Sequence, residues 1–147
     1  MDENTRQLLY ELNLDIIKIR GVYSAWSGQH GISYNEMLVL YTIHQNGYCT
    51  QKQICDSYLL PRQTINHVIA IMRERGILKL SEENCSGREK AFVLTEKGTQ
   101  YAQPLLNSLE RAEQEAVAEF GEEKMRELTS LAKEYSTLLE KLRKKEQ

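Results

Sequence analysis

The sequence predicts a mostly α-helical fold with one small β-hairpin wing, and three observations within residues 50–98 carry that expectation. Thr50 with Gln53 three residues on is a capping box that opens a short helix. Behind Pro61, the apolar residues Ile65, Val68, Ile69 and Met72 recur at helical spacing. Two β-prone runs, Ile77–Ser81 and Lys90–Thr95, then flank a polar loop. Short helix, turn, helix, hairpin and helix start, in that order, make a winged helix-turn-helix, a module that reads DNA.

Each element has its own reason. Leu8, Leu12, Ile16, Ile19, Tyr23 and Trp26 form a helical stripe near the N-terminus, with Leu9, Leu14 and Ile17 widening it beyond what one neighbouring helix covers. Gly28 to Gly31 interrupts this helix, and Ser33 with Glu36 makes a second capping box before Met37, Leu38, Leu40, Tyr41 and His44. The helix opened by Thr50 runs to about Tyr58, and after the turn at 57–60 Pro61 suits a first helical position, where its missing N–H costs nothing. The buried stripe of this second helix leaves Arg62, Gln63, Asn66, His67 and Arg73 pointing elsewhere, a donor-rich face nearly free of acids. Gly76 ends the helix at the left-handed position, and Arg73 and Arg75 complement its dipole.

The hairpin loop holds Asn84, Ser86, Gly87 and Arg88, and Thr95 caps the following helix, with Gly98 in the first turn where a glycine does least harm. Tyr101, Leu105, Leu109, Ala112 and Ala116 continue that helix towards Phe120, and Pro104 is expected to kink or break it. Beyond Gly121, Met125, Leu128, Ala132, Tyr135, Leu138 and Leu142 stripe a final helix, and Lys141–Gln147 reads as a solvated tail. The apolar stripes of the first and last helices exceed what the module can bury, which points to a homodimer.

Composition fits one domain. The chain has 147 residues, 41% of them hydrophobic, and no apolar run approaches the roughly 20 residues that span a bilayer. Met1-Asp2-Glu3-Asn4 lacks the basic and apolar regions of a signal peptide, so a cytoplasmic protein without membrane partners is expected. The net charge of −2 is segregated: residues 50–98 hold eight Lys/Arg against six Asp/Glu, a net of +2, and the remainder eleven against fifteen, a net of −4. A modestly positive module on an acidic body presents a basic face when Glu74, Glu82 and Glu83 point away from it.

The run Pro61-Arg62-Gln63-Thr64-Ile65-Asn66 through Arg75-Gly76-Ile77-Leu78, then Arg88 and Leu94-Thr95-Glu96-Lys97-Gly98, resembles the multiple-antibiotic-resistance regulator (MarR) family, and the length and helix plan match across the chain. The resemblance implies a single domain over 1–147, with an N-terminal dimerisation helix at 1–30, a winged helix-turn-helix lobe at 33–98 and C-terminal dimerisation helices at 99–147. It implies a transcription regulator, expected to be a ligand-responsive repressor that binds double-stranded DNA as a homodimer. One departure stands in the wing: the family usually has an Asp two residues before the wing arginine, and here that place is Ser86. Asn84 and Glu89 are the candidates to hold Arg88 instead.

On chemistry, Arg pairs with guanine and Gln or Asn with adenine in the major groove, so Arg62, Gln63, Asn66 and His67 are the candidate base readers. Thr64 suits a phosphate or packing role, and Arg73 extends the same face. Lys52, Tyr58, Lys90 and Arg88 are candidates for phosphate or minor-groove contact, Arg88 foremost because a guanidinium at a wing tip enters a narrow minor groove. The resemblance also implies a small-molecule effector pocket between the DNA-binding lobe and the dimer helices, for which Tyr10, Tyr23, Trp26, Tyr34, Tyr41 and His44 are the candidate lining; a Tyr-rich helix core is the plainer reading.

Three cysteines without an export signal argue against a disulfide framework. Cys49 precedes a helix start whose dipole favours a thiolate, Cys55 falls on the buried side of its helix, and Cys85 stands at the wing tip, so a thiol-based redox sensor is an alternative. His30, His44 and His67 have no metal-ligand spacing, and no nucleophile elbow, phosphate loop or paired acid suggests catalysis or a cofactor. A winged helix serving only as a protein-interaction module is the competing class.

Overall fold

Helix caps set most of the element boundaries. In the computed structural model, which describes residues 1–146, the Asp2 carboxylate accepts from the Thr5 N–H and starts α1 (Glu3–Gln29). Ser33 and Glu36 exchange both capping-box bonds at the head of α2 (Tyr34–Asn46), and Thr50 and Gln53 do the same for α3 (Gln51–Tyr58). Pro61 lies one residue earlier than the sequence suggested: its ψ of 136° is extended, so it is the N-cap, and α4 (Arg62–Glu74) begins after it with the Ile65 N–H donating to the Pro61 carbonyl. The end of α4 is a Schellman motif, in which Gly76 at φ 73° lets its own N–H reach the Arg73 carbonyl and the Ile77 N–H reach that of Met72.

The wing strands are trimmed to β2 (Leu78–Leu80) and β3 (Ala91–Leu94), and a strand that the sequence did not suggest, β1 (Cys49–Thr50), joins them. The antiparallel order is β1-β3-β2, with Cys49 opposite Phe92 and Leu78 opposite Leu94. At the wing tip Ser86 and Glu89 exchange backbone bonds across Gly87-Arg88, and Gly87 takes the positive φ of 58° that a type II′ turn needs at its first central position. The turn between α3 and α4 contains the described non-glycine residue with positive φ, Leu59 at 51°, which is 87% exposed. Because left-handed backbone costs an L-residue about 1 kcal/mol that Asn largely avoids, Leu59→Asn should raise stability by about 0.5 kcal/mol in urea titration.

Two compact units result, Met1–Asn107 and the part from Ser108 onward. Helix α5 (Glu96–Phe120) contributes to both, and Ala102, Leu105 and Leu106 near its start are buried in the first unit with Leu40, Ile54, Ile65, Ile69, Met72, Ile77 and Phe92. Helix α5 runs through Pro104 without a break. Pro104 and Gln100, whose carbonyl loses its helical partner, are both exposed, so water can take up the lost bond.

The second unit continues into α6 (Glu122–Lys145), none of whose described residues is buried. The expected solvated tail is thus helical and exposed as far as Lys145, while Gln147 lies outside the described residues. Large apolar side chains stay exposed on α1 (Leu8, Leu12, Ile16, Ile17, Ile19) and on α6 (Leu128, Leu131, Leu138, Leu142). No helix among the described residues is long and apolar enough to cross a membrane.

Candidate nucleic-acid interface

Helix α4 divides cleanly. Ile65, Ile69 and Met72 are buried, whereas Arg62, Gln63, Asn66 and His67 are exposed and adjacent at three- and four-residue spacing. Thr64 is half-buried at the edge of this patch, consistent with packing or phosphate contact rather than base reading. Ala70, exposed and three and four residues on from His67 and Asn66, extends the same face with a small side chain. Glu74 stands seven residues beyond His67 on this face, so the acid-free part is the first two turns of α4, about 10 Å long.

Other candidates fare differently. Arg73 is exposed, but its guanidinium lies 5.6 Å from the centroid of the Phe92 ring on β3, which draws it to the base of the wing. Lys52 is bound by its own helix, with Nζ 2.5 Å from Asp56 Oδ2, and that hydrogen bond raises the lysine pKa. Lys90 is exposed without an ion-pair partner among the described residues. Tyr58 turns inward: its hydroxyl is 3.1 Å from Thr42 Oγ1, which itself donates to the Leu38 carbonyl, so Tyr58 donates to Thr42 instead of facing phosphate.

Arg88 is exposed at the second central position of the wing turn and makes no hydrogen bond or ion pair among the described residues. Neither expected substitute holds it. The Asn84 amide donates to Ser81 Oγ, and Glu89 is engaged through its backbone with Ser86. The guanidinium at the wing tip therefore has all its donors available.

The aromatic set is only partly assembled. Tyr23, Trp26, Tyr34 and Tyr41 are half-buried where α1 and α2 pack, and Arg20 Nε donates to the Tyr34 hydroxyl at 3.4 Å. Tyr10 is exposed, 13 residues before Tyr23 on α1 and thus roughly 20 Å away along the helix, and His44 is exposed. These two do not share a lining with the others within one chain. In the second unit, Glu110, Glu113, Gln114, Val117, Ala118 and Glu122 line an open groove whose three carboxylates suit neither DNA nor an anionic effector.

Burial overturns the expectation of an activated thiol at Cys49. Cys49 is fully buried in β1, and burial pushes its thiol up to about 12, opposite to the lowering that a helix dipole would produce. Cys55 is half-buried rather than in the core, and Cys85 is exposed with its Sγ accepting from the Ala91 N–H at 3.3 Å.

The MarR family model matches residues 30–89. The structure of NMB1585, a MarR family regulator from Neisseria meningitidis, superposes with a TM-score of 0.84 at 30% identity, covering 95% of this chain and 99% of that one. The chain belongs to the MarR family. Two further MarR-fold structures are alike in fold. Staphylococcus aureus MarR in complex with salicylate and kanamycin has a TM-score of 0.69, 18% identity and 95% of each chain covered. A putative MarR family transcriptional regulator from Listeria monocytogenes complexed with 26mer DNA has a TM-score of 0.68, 18% identity, and 88% of this chain and 86% of that one covered. No curated protein matches the sequence. Within the MarR frame, α3 and α4 are the helix-turn-helix and β2–β3 the wing.

Proposed function

We propose that this MarR-family protein is a non-enzymatic, ligand-responsive transcriptional repressor that binds a pseudo-palindromic duplex as a homodimer. The observation that carries the reading is the contiguous patch of Arg62, Gln63, Asn66 and His67 on the first two turns of α4, free of carboxylates and, among the described residues, beside no competing side-chain partner. In each half-site α4 enters the major groove and the wing carries Arg88 to the flanking minor groove, the half-sites lying about 34 Å apart. The Listeria relative's complex with 26mer DNA supports DNA as the partner.

An effector would bind at the half-buried aromatics Tyr23, Trp26, Tyr34 and Tyr41, with Arg20 beside Tyr34 as a counter-charge for an aromatic acid. The salicylate complex of the Staphylococcus relative supports that ligand class. It regulates only to the extent that it binds one lobe arrangement better than the other.

The test is fluorescence anisotropy of a labelled duplex from upstream of the protein's own coding sequence, titrated at two salt concentrations beside a scrambled duplex. Tight binding that weakens steeply with salt and prefers the native duplex is expected, because phosphate contact releases counterions. Binding insensitive to salt would favour the protein-interaction class. Arg88→Ala should weaken both duplexes and reduce the log–log salt slope by about 1, whereas Gln63→Ala should cost about 1–3 kcal/mol on the preferred duplex alone. If both variants bind as the wild type does, this docking is wrong.

A further inference from the structure

Apolar contact is non-directional. The buried stripe Ile65, Ile69 and Met72 sets which face of α4 lies inward, and a finer constraint limits the remaining small rotations about its own axis. Directed bonds supply that constraint, and they converge on the C-terminal end of the helix. Arg75 Nη1 donates to Glu36 Oε1 at 2.6 Å, and the guanidinium lies 4.9 Å from the centroid of the Tyr101 ring. The Tyr101 hydroxyl donates to the same Glu36 oxygen at 3.5 Å. The Glu36 side chain is only 14% exposed, and its other oxygen accepts from Ser33 at the head of α2. Carbonyls that leave α4 are taken by the first turn of α5: Lys97 Nζ donates to Arg75, Thr95 Oγ1 to Gly76, and the Thr95 N–H to Ile77. All of these residues belong to the first unit.

We infer that Glu36 is a positioning residue for the DNA-reading helix: through Arg75 and Tyr101 it fixes the rotation at which α4 presents Arg62, Gln63, Asn66 and His67. The inference rests on the DNA-reading role proposed above. A turn of about 20° moves a side-chain tip about 6 Å from the helix axis by roughly 2 Å. That shift exceeds the whole window of hydrogen-bond distances, so base contacts are lost. Phosphate contacts from long, flexible side chains survive it, and they carry no sequence information. Loosening the clamp therefore removes discrimination and leaves non-specific affinity intact.

Glu36→Gln separates the two roles of this residue, since Gln at the same place keeps a capping box but loses the charge that holds Arg75. Tyr101→Phe keeps the ring under the guanidinium and removes only the hydroxyl. The preferred duplex is first selected from a random pool with the wild-type protein, and Kd is then measured for it and for a scrambled duplex. For Glu36→Gln the ratio of the two should fall at least tenfold, with scrambled-duplex Kd within twofold of wild type and an unchanged salt slope; Tyr101→Phe should give a smaller fall. An unchanged ratio overturns the inference, as does equal loss on both duplexes.

A second readout needs no DNA. In free Glu36→Gln, amide hydrogen exchange over residues 69–75 should quicken about tenfold while that of α1 stays as in wild type. Unchanged exchange there overturns the clamp. If the wild type selects no duplex, the DNA-reading proposal falls and the exchange experiment alone judges whether Glu36 fixes α4.

Discussion

Gly98→Ala is expected to destabilise the protein by about 3 kcal/mol, because it is the glycine at which an added Cβ meets backbone most closely. A Cβ built at position 98 would lie 2.1 Å from the Ile77 carbonyl oxygen and 3.0 Å from its carbon, with backbone rather than a movable side chain as the obstacle. That carbonyl also accepts from the Thr95 N–H at 3.0 Å, so any shift that admits the methyl group pulls apart the junction between the end of α4 and the start of α5. The helix propensity gained on replacing glycine, about 1 kcal/mol, offsets only part of the overpacking. Urea unfolding at fixed protein concentration should show the fall, together with a drop in Tm of about 10 °C. Gly28→Ala is the control: nothing lies within 4 Å of its Cβ, so it should be neutral or slightly stabilising. Equal behaviour of the two variants would mean that the approach of α5 to the Ile77 backbone relaxes freely.

Gly98 also marks where sequence reading runs out. Read locally, it is a glycine tolerated near a helix start; its need comes from Ile77, twenty-one positions earlier, which no local pattern displays. The same division holds elsewhere. Capping boxes at Ser33 and Thr50, the Gly76 helix end and the apolar stripe of α4 involve residues within a few positions of one another, and the structure has them all. Strand β1 has two residues and exists only because Phe92 and Ala91 pair with it from forty residues away. The local pattern at Cys49 shows only the helix it precedes, yet its place in that strand, at 0% exposure, decides its chemistry.

The site shows the same limit. The outward face of α4 was legible because burial on a helix follows its period. The inward turn of Tyr58, the stacking of Arg73 on Phe92 and the second use of Glu36 beyond its cap were not, since each depends on a tertiary partner.

Placing two carboxylates on the exposed stripe of α1, as Leu12→Glu with Ile16→Glu, should convert the proposed dimer to monomers and cut duplex affinity by a factor of about 10²–10⁴. Leu12 and Ile16 are 40% and 45% exposed in the single chain, so the substitutions leave the first unit's core untouched and circular dichroism should not change. In a two-fold symmetric interface each substitution occurs twice, which brings four charges into a surface otherwise lined by Leu8, Ile17 and Ile19. Burying an unpaired carboxylate there costs several kcal/mol, and four of them together offset what the remaining apolar contact of the helix pair supplies. Affinity falls because the second DNA-reading helix no longer arrives at the high local concentration that dimerisation provides. Sedimentation velocity beside anisotropy separates the outcomes. A variant that stays dimeric would move the interface to another face, with the exposed leucines of α6 next to be tested, and a wild-type protein that is monomeric at micromolar concentration would sink the homodimer outright. A monomeric variant that keeps full affinity and preference would show that one α4 and one wing suffice, and the pseudo-palindrome would no longer follow from the protein.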